Sequence, residues 1–76
     1  MAISFSEILD ADQKKSILEQ RIAQFAAEGY QHELNKTVSE NTENEAGVEE
    51  SVKMINILAA AIEVYQKELD SLTATE

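Results

Sequence analysis

One segment of the chain, from Val48 to Leu72, is apolar around most of its circumference when it is drawn as an α-helix. From Lys53 onward most of its polar side chains lie on one narrow stripe in which three- and four-residue steps alternate: Lys53, Asn56, Glu63, Lys67 and Asp70, with Ala60 among them. A helix that is hydrophobic nearly all round belongs inside something larger than a two-helix hairpin. The segment therefore predicts self-association or a protein partner.

The rest of the chain predicts one further long helix. Proline is absent and Gly29 and Gly47 are the only glycines, which suits long helices and argues against a β-rich fold. The pattern predicts a single all-α domain over residues 1–76, an antiparallel helical hairpin. Its parts are a first helix at about residues 5–37, an acidic loop at about 38–46, a second helix at about 47–72 and a frayed tail at 73–76.

Local signals leave two details of the first helix open. Ser4 with Glu7 and Asp10 with Gln13 both have capping-box spacing, so the helix can begin near either; a start near Ser4 is favoured, with an irregularity around Asp10. Gly29 either kinks the helix or lets a neighbouring helix come close. Thr42 and Glu45 give the same capping-box spacing ahead of the second helix.

A turn near Thr42 sets the packing of the hairpin. It places Phe25 against Ala59, with Ile22 near Ile62 and Gly29 near Ile55. The predicted core of the hairpin is Leu18, Ile22, Phe25, Gly29, Val52, Ile55, Ala59, Ile62 and Leu69.

A second apolar seam of helix 2 then stays bare: Met54, Leu58, Ala61, Tyr65 and Leu72. Joining this seam to its copy predicts a four-helix bundle with coiled-coil-like packing, as a dimer or tetramer with the second helices at its centre. Leu58→Asp is accordingly expected to abolish self-association.

The chain is small and acidic. A domain of 76 residues usually needs a stabilising element beyond its small hydrophobic core. Because the chain has no cysteine, neither disulfides nor thiolate metal sites can provide it, which again favours oligomerisation. The net charge of −9 argues against binding to nucleic acid or to an anionic membrane. With no secretory signal and no apolar run near the roughly 20 residues that span a bilayer, the expected location is the cytoplasm.

No residue pattern points to chemistry. His32 is the only histidine; Glu28 lies one helical turn away, but the Glu-x-x-His spacing of di-metal bundles is absent, so a surface histidine is expected. The acidic run Asn41–Gly47 fails as a calcium loop because its glycine falls at the seventh position rather than the sixth. Gln66 lies on the apolar seam of Ile62 and Leu69. It is either a buried polar residue that sets the register of the helices or a sign that the seam has reached the solvent-exposed end of the bundle. We expect no catalytic residue, metal or cofactor.

Two functions remain open on these grounds. The first is a non-enzymatic interaction or assembly module that acts as a homo-oligomeric bundle, with itself and another protein as partners. The alternative is an acidic decoy that imitates the charge of nucleic acid and inhibits a DNA- or RNA-binding protein, motivated by the cluster Glu40, Glu43, Glu45, Glu49 and Glu50.

Residues 20–36, from Gln20-Arg21-Ile22-Ala23-Gln24-Phe25 through Gly29-Tyr30-Gln31-His32-Glu33-Leu34-Asn35-Lys36, resemble small uncharacterised proteins of tailed phages, particularly marine cyanophages. The likeness lies in size, acidity and hairpin pattern as well. It implies a phage accessory or virion-assembly role in the host cytoplasm, acting through protein contacts, and it carries no functional residues over to this chain.

Overall fold

The computed structural model describes residues 3–74 and is an antiparallel helical hairpin. Helix α1 (Phe5–Ile8) is one turn long, and α2 (Ala11–Asn41) and α3 (Glu45–Ala74) pack against each other along their length; the described residues contain no strand. The predicted all-α hairpin is confirmed. The molecule measures 51 × 29 × 15 Å, so it is one helix thick, since a helix with its side chains is about 10–12 Å across.

The first long helix begins at Asp10 rather than Ser4. The Asp10 carboxylate accepts from the Gln13 backbone N–H (2.8 Å), and the Gln13 side chain accepts in return from the Asp10 N–H (3.0 Å). Ser4 makes no capping hydrogen bond, and the backbone is extended at Leu9 and Asp10. The helical turn from Phe5 agrees with the expected start near Ser4, and the expected irregularity around Asp10 is a full break, because the reciprocal bonds of a capping box fix a new start at residue 11.

The connection between the long helices is shorter than the predicted loop at 38–46. Helix α2 passes through Gly29 without a break and continues to Asn41. Glu43 then takes a left-handed conformation (φ 58°), its N–H donates to the Glu40 carbonyl oxygen (3.3 Å), and the Asn44 N–H donates to that of Ser39 (2.8 Å). This is a Schellman motif, which reverses the chain within three residues.

Asn44, not Thr42, caps the start of α3. Its side-chain oxygen accepts from the Gly47 N–H (3.0 Å), whereas the Thr42 hydroxyl donates back to the Val38 carbonyl oxygen of α2 (2.9 Å). Helix α3 starts two residues before the expected 47 and reaches Ala74, two residues beyond the expected end. The end of the predicted tail, residues 75–76, lies outside the described residues.

The inward stripe of α3 alternates three- and four-residue steps, as in a coiled coil. Every member is buried or half-buried: Val48, Ser51, Ile55, Leu58, Ile62, Tyr65, Leu69 and Leu72. The core is thin. Among the described residues Leu58, 8% exposed, is the one buried hydrophobic side chain, and Ser51, seven residues earlier on the same stripe, is the one buried polar side chain.

Candidate interaction surface

The seam that the sequence predicted to stay bare is partly covered by α2. Leu58 is its most buried member, and the Tyr65 ring packs on that of Phe25 with the ring centroids 5.5 Å apart. Met54, Ala61 and Leu72 are half-buried. The prediction that this seam is the partner interface was wrong because α2 contacts α3 along the boundary between the two predicted seams, centred on the row Ser51–Leu58–Tyr65.

The predicted core is correct in its α2 members and in part of α3. Leu18, Ile22, Phe25 and Gly29 are half-buried, as are Ile55, Ile62 and Leu69 of α3. Val52 and Ala59 are the exceptions. Both are exposed, because they lie on the flank of α3 beyond the reach of α2.

A shallow crevice of about 260 Å³ runs between the helices on this flank. It is lined by Phe25, Ala26, Gly29, Glu33, Ile55, Leu58, Ala59 and Ile62. A Cβ atom added to Gly29 would meet no heavy atom within 4 Å, apart from its chain neighbours and its own helix backbone. The expectation that Gly29 admits α3 more closely is therefore wrong: within the hairpin, the space beside Gly29 is open.

An apolar row on α2 continues beyond the core, a feature that the sequence reading missed. Every fourth residue is apolar: Leu18, Ile22, Ala26, Tyr30, Leu34 and Val38. Because four residues turn a helix about 40° past a full circle, the row winds from the face that meets α3, across the crevice side, to the outer surface. Tyr30 is 62% exposed and Val38 60%. The four-residue spacing was the available signal, and α2 is apolar on more than the single face that was predicted.

The opposite flank of the hairpin is apolar mainly on α3. Ile57, 53% exposed, and Val64 lie there. The side chains that α2 turns toward this flank are mostly polar, and the one aliphatic residue on that face is Ile17, 44% exposed. The polar residues are Gln24, Glu28, Gln31 and Asn35. The predicted polar stripe of α3 is exposed throughout, and it carries the Lys67–Glu63 ion pair (3.7 Å).

The polar candidates gather no catalytic or metal constellation. His32 is half-buried on the inward face of α2, at a seam position rather than on the open surface that was expected. Within residues 3–74, no group of three His, Asp or Glu side chains can hold a metal ion. Gln66 is exposed, and its side-chain amide donates to the Asp70 carboxylate (3.0 Å). This agrees with the alternative in which the seam is exposed to solvent at this point, and not with a buried residue that sets the register.

The acidic cluster surrounds the turn. A depression of about 360 Å³ is lined by Ser39, Glu40, Glu43, Asn44, Glu45, Val48 and Glu49.

No helix within the described residues has an apolar stretch long enough to cross a membrane. Compared with known protein families, with characterised proteins and with solved structures, the chain shows no match.

Proposed function

We propose that the chain is a non-enzymatic interaction or assembly module that acts as a homo-oligomeric helical bundle. The supporting observation is that the hairpin is one helix thick and buries a single hydrophobic side chain among its described residues. Stable domains pack at least two layers around a shared core. A second layer supplied by another copy provides the missing cover.

The surface area of the hairpin supports this proposal. The chain exposes 5904 Å². A compact monomer of its 8.4 kDa exposes about 4600 Å², which leaves an excess of about 1300 Å². Each partner in a standard protein interface contributes about 800 Å². The elongated hairpin therefore carries more surplus surface than one such interface covers.

Helix α3 is the element in greatest need of cover. Val52 and Ala59 are exposed on one flank, and Ile57 and Val64 on the other. A dimer that forms the expected four-helix bundle, with α3 toward its centre, covers one of these flanks, and association to a tetramer covers both. The resemblance of residues 20–36 to small phage proteins suggests a role in virion assembly, or as an accessory protein, in the host cytoplasm.

Native mass measured by light scattering behind a sizing column tests the proposal. We expect a dimer or tetramer at micromolar concentrations, dissociating on dilution. A monomer throughout would contradict the proposal. The expected Leu58→Asp variant is no longer a test of association, because Leu58 lies in the hairpin core and a charge there unfolds the hairpin itself.

The acidic decoy remains a second candidate because the turn assembles Glu40, Glu43, Glu45 and Glu49 around one depression. A decoy requires binding to basic proteins that weakens as salt rises. Titration of the chain with a basic DNA-binding domain at two salt concentrations tests it. Binding that is absent or insensitive to salt removes this candidate.

A further inference from the structure

We infer that the crevice side of the hairpin docks a second copy of this chain across a two-fold axis that passes through the crevice. This inference rests on the proposed function and specifies which surface carries it. The docking surface, here called the crevice face, consists of the crevice residues Ala26, Gly29, Glu33, Ile55 and Ala59, together with Val52, which lies seven residues before Ala59 on the same face of α3.

On the crevice face both helices present small or aliphatic side chains, with one charged side chain, Glu33, in the crevice lining. From α2 it receives Ala26 of the four-residue row, with exposed Tyr30 next along that row. From α3 it receives Val52 and Ala59, both exposed. On the opposite flank, Ile57 and Val64 are bordered by the glutamine, glutamate and asparagine side chains of α2. A partner on that flank would have to desolvate several polar side chains, whereas the crevice lining contains one, Glu33.

Gly29 gives the crevice room that the hairpin itself does not use. Glycine inside a helix costs about 1 kcal/mol relative to alanine. A Cβ at this position would occupy open space in the single chain. Gly29, Ala26 and Ala59 are the small residues of the crevice lining, so that another helix can approach closely at this point.

The position of the crevice favours a second copy as the occupant. Ala26 is the central residue of α2 and Ala59 lies at the centre of α3. A two-fold axis perpendicular to the hairpin and through its middle therefore brings the crevice face onto itself, which is the requirement for an isologous dimer. The surplus of exposed surface exceeds the share that each partner in such a dimer contributes.

The charges favour an antiparallel pairing of the two hairpins. Five glutamates and no base lie between residues 40 and 50, around the turn. A parallel pairing sets two such clusters side by side. An antiparallel pairing places each cluster beside the open end of the partner hairpin, where Lys14, Lys15 and Lys67 lie among the acids.

Neighbouring alanines provide matched variants that test the crevice face. Ala59→Glu puts a carboxylate on it, whereas Ala60→Glu puts the same group one residue further, on the exposed polar stripe of α3. Ala26→Glu and Ala27→Glu repeat the comparison on α2, where both alanines are exposed. The dissociation constant of each is measured by sedimentation equilibrium, with circular dichroism to verify that helix content is unchanged.

We expect Ala59→Glu and Ala26→Glu to weaken association about a hundredfold or more, because each buries an unpaired charge. Ala60→Glu and Ala27→Glu should change it by less than about threefold, as exposed surface charges do. Equal effects within each pair, or a loss of association caused only by Ile57→Glu on the opposite flank, overturn the inference and leave the proposed function standing. A monomeric wild-type chain overturns both.

The direction of pairing has its own measurement. The chain has no cysteine, so Glu43→Cys carries a single spin label at the turn. In the antiparallel dimer, the two labels lie close to the 51 Å length of the hairpin apart. A separation below half that length indicates parallel pairing and overturns this part of the inference.

Discussion

Phe25 and Tyr65 hold the two long helices together through a tilted ring pair, with centroids 5.5 Å apart and planes inclined by 59°. The rings lie in the range of distance and angle that aromatic pairs favour. The pair joins the middle of α2 to the open-end half of α3. It therefore fixes the register of the hairpin from within a core that is otherwise thin.

A double-mutant cycle measures this pair. Phe25→Leu and Tyr65→Leu each lower the free energy of unfolding, and their coupling should be about 0.5–1.5 kcal/mol, the usual value for aromatic pairs. Urea unfolding in the Ala59→Glu background, where association is weakened, gives the four free energies. Phe25→Leu combined with Tyr30→Leu is the control and should be additive, because the Tyr30 ring is exposed on α2. A coupling near zero for Phe25 with Tyr65 would contradict the observed packing.

Leu58 and Ile57 are adjacent aliphatic residues with opposite environments, at 8% and 53% exposure. Leu58→Ala should cost about 2–5 kcal/mol of unfolding free energy, as truncations in a core do. Ile57→Ala should cost less than about 1 kcal/mol, because little burial is lost and alanine is the better helix former. Thermal unfolding of both variants at low protein concentration checks the difference. Similar costs would contradict the assignment of Leu58 to the hairpin core.

The two glycines should respond oppositely to alanine. Gly29→Ala should raise the free energy of unfolding of the isolated hairpin by about 1 kcal/mol, because the new Cβ meets open space and alanine favours a helix. In Gly47→Ala, the Cβ would lie 2.8 Å from the Asn44 side-chain nitrogen and would also press on the Ser39 hydroxyl. Displacing Asn44 weakens the cap of α3, which is worth about 1 kcal/mol, so this variant should gain nothing or lose stability.

The urea midpoints of Gly29→Ala and Gly47→Ala, measured in the Ala59→Glu background, test whether the two substitutions have opposite effects on stability. A stabilisation of the same size in both proteins would show that the contacts around Gly47 are not restrictive. A loss in Gly29→Ala would show that the space beside Gly29 is filled within the hairpin.

Glu43 occupies a backbone conformation that favours glycine (φ 58°). Glu43→Gly should raise the free energy of unfolding of the hairpin by about 1 kcal/mol. A residue with a Cβ atom costs about 1–2 kcal/mol in the left-handed conformation, and glycine removes this cost. Part of the gain is lost because glycine also gives the unfolded chain more conformational entropy. Glu43→Ala removes the same charge and keeps the Cβ, so it serves as the control. Calorimetric melting temperatures that rise equally in both variants would assign the effect to charge instead.

Much of the fold follows from local signals in the sequence. The absence of proline and the helical period of the apolar residues predict two long helices, and the polar run after Lys36 predicts the reversal between them. The boundaries were less accurate. Residues 39–41 are polar but continue α2, because a Schellman motif completed by Glu43 and Asn44 provides a later end. A composition rich in Ser, Thr and Asn does not reveal which residue takes the left-handed conformation.

The sequence by itself determined that α3 carries more apolar surface than one neighbouring helix can cover, since hydrophobicity all round a helix is a property of the residues alone. The tertiary structure alone decided which part of that surface is covered. Two adjacent seams of α3 are about equally apolar, and the contact with α2 falls between them. As a result Leu58 and Tyr65 face α2 while Val52 and Ala59 remain exposed. The predicted and observed contact faces differ by a rotation of α3 about its own axis that is smaller than the angle of about 100° between successive residues. Packing against α2 along the whole length of the helix selects the observed face.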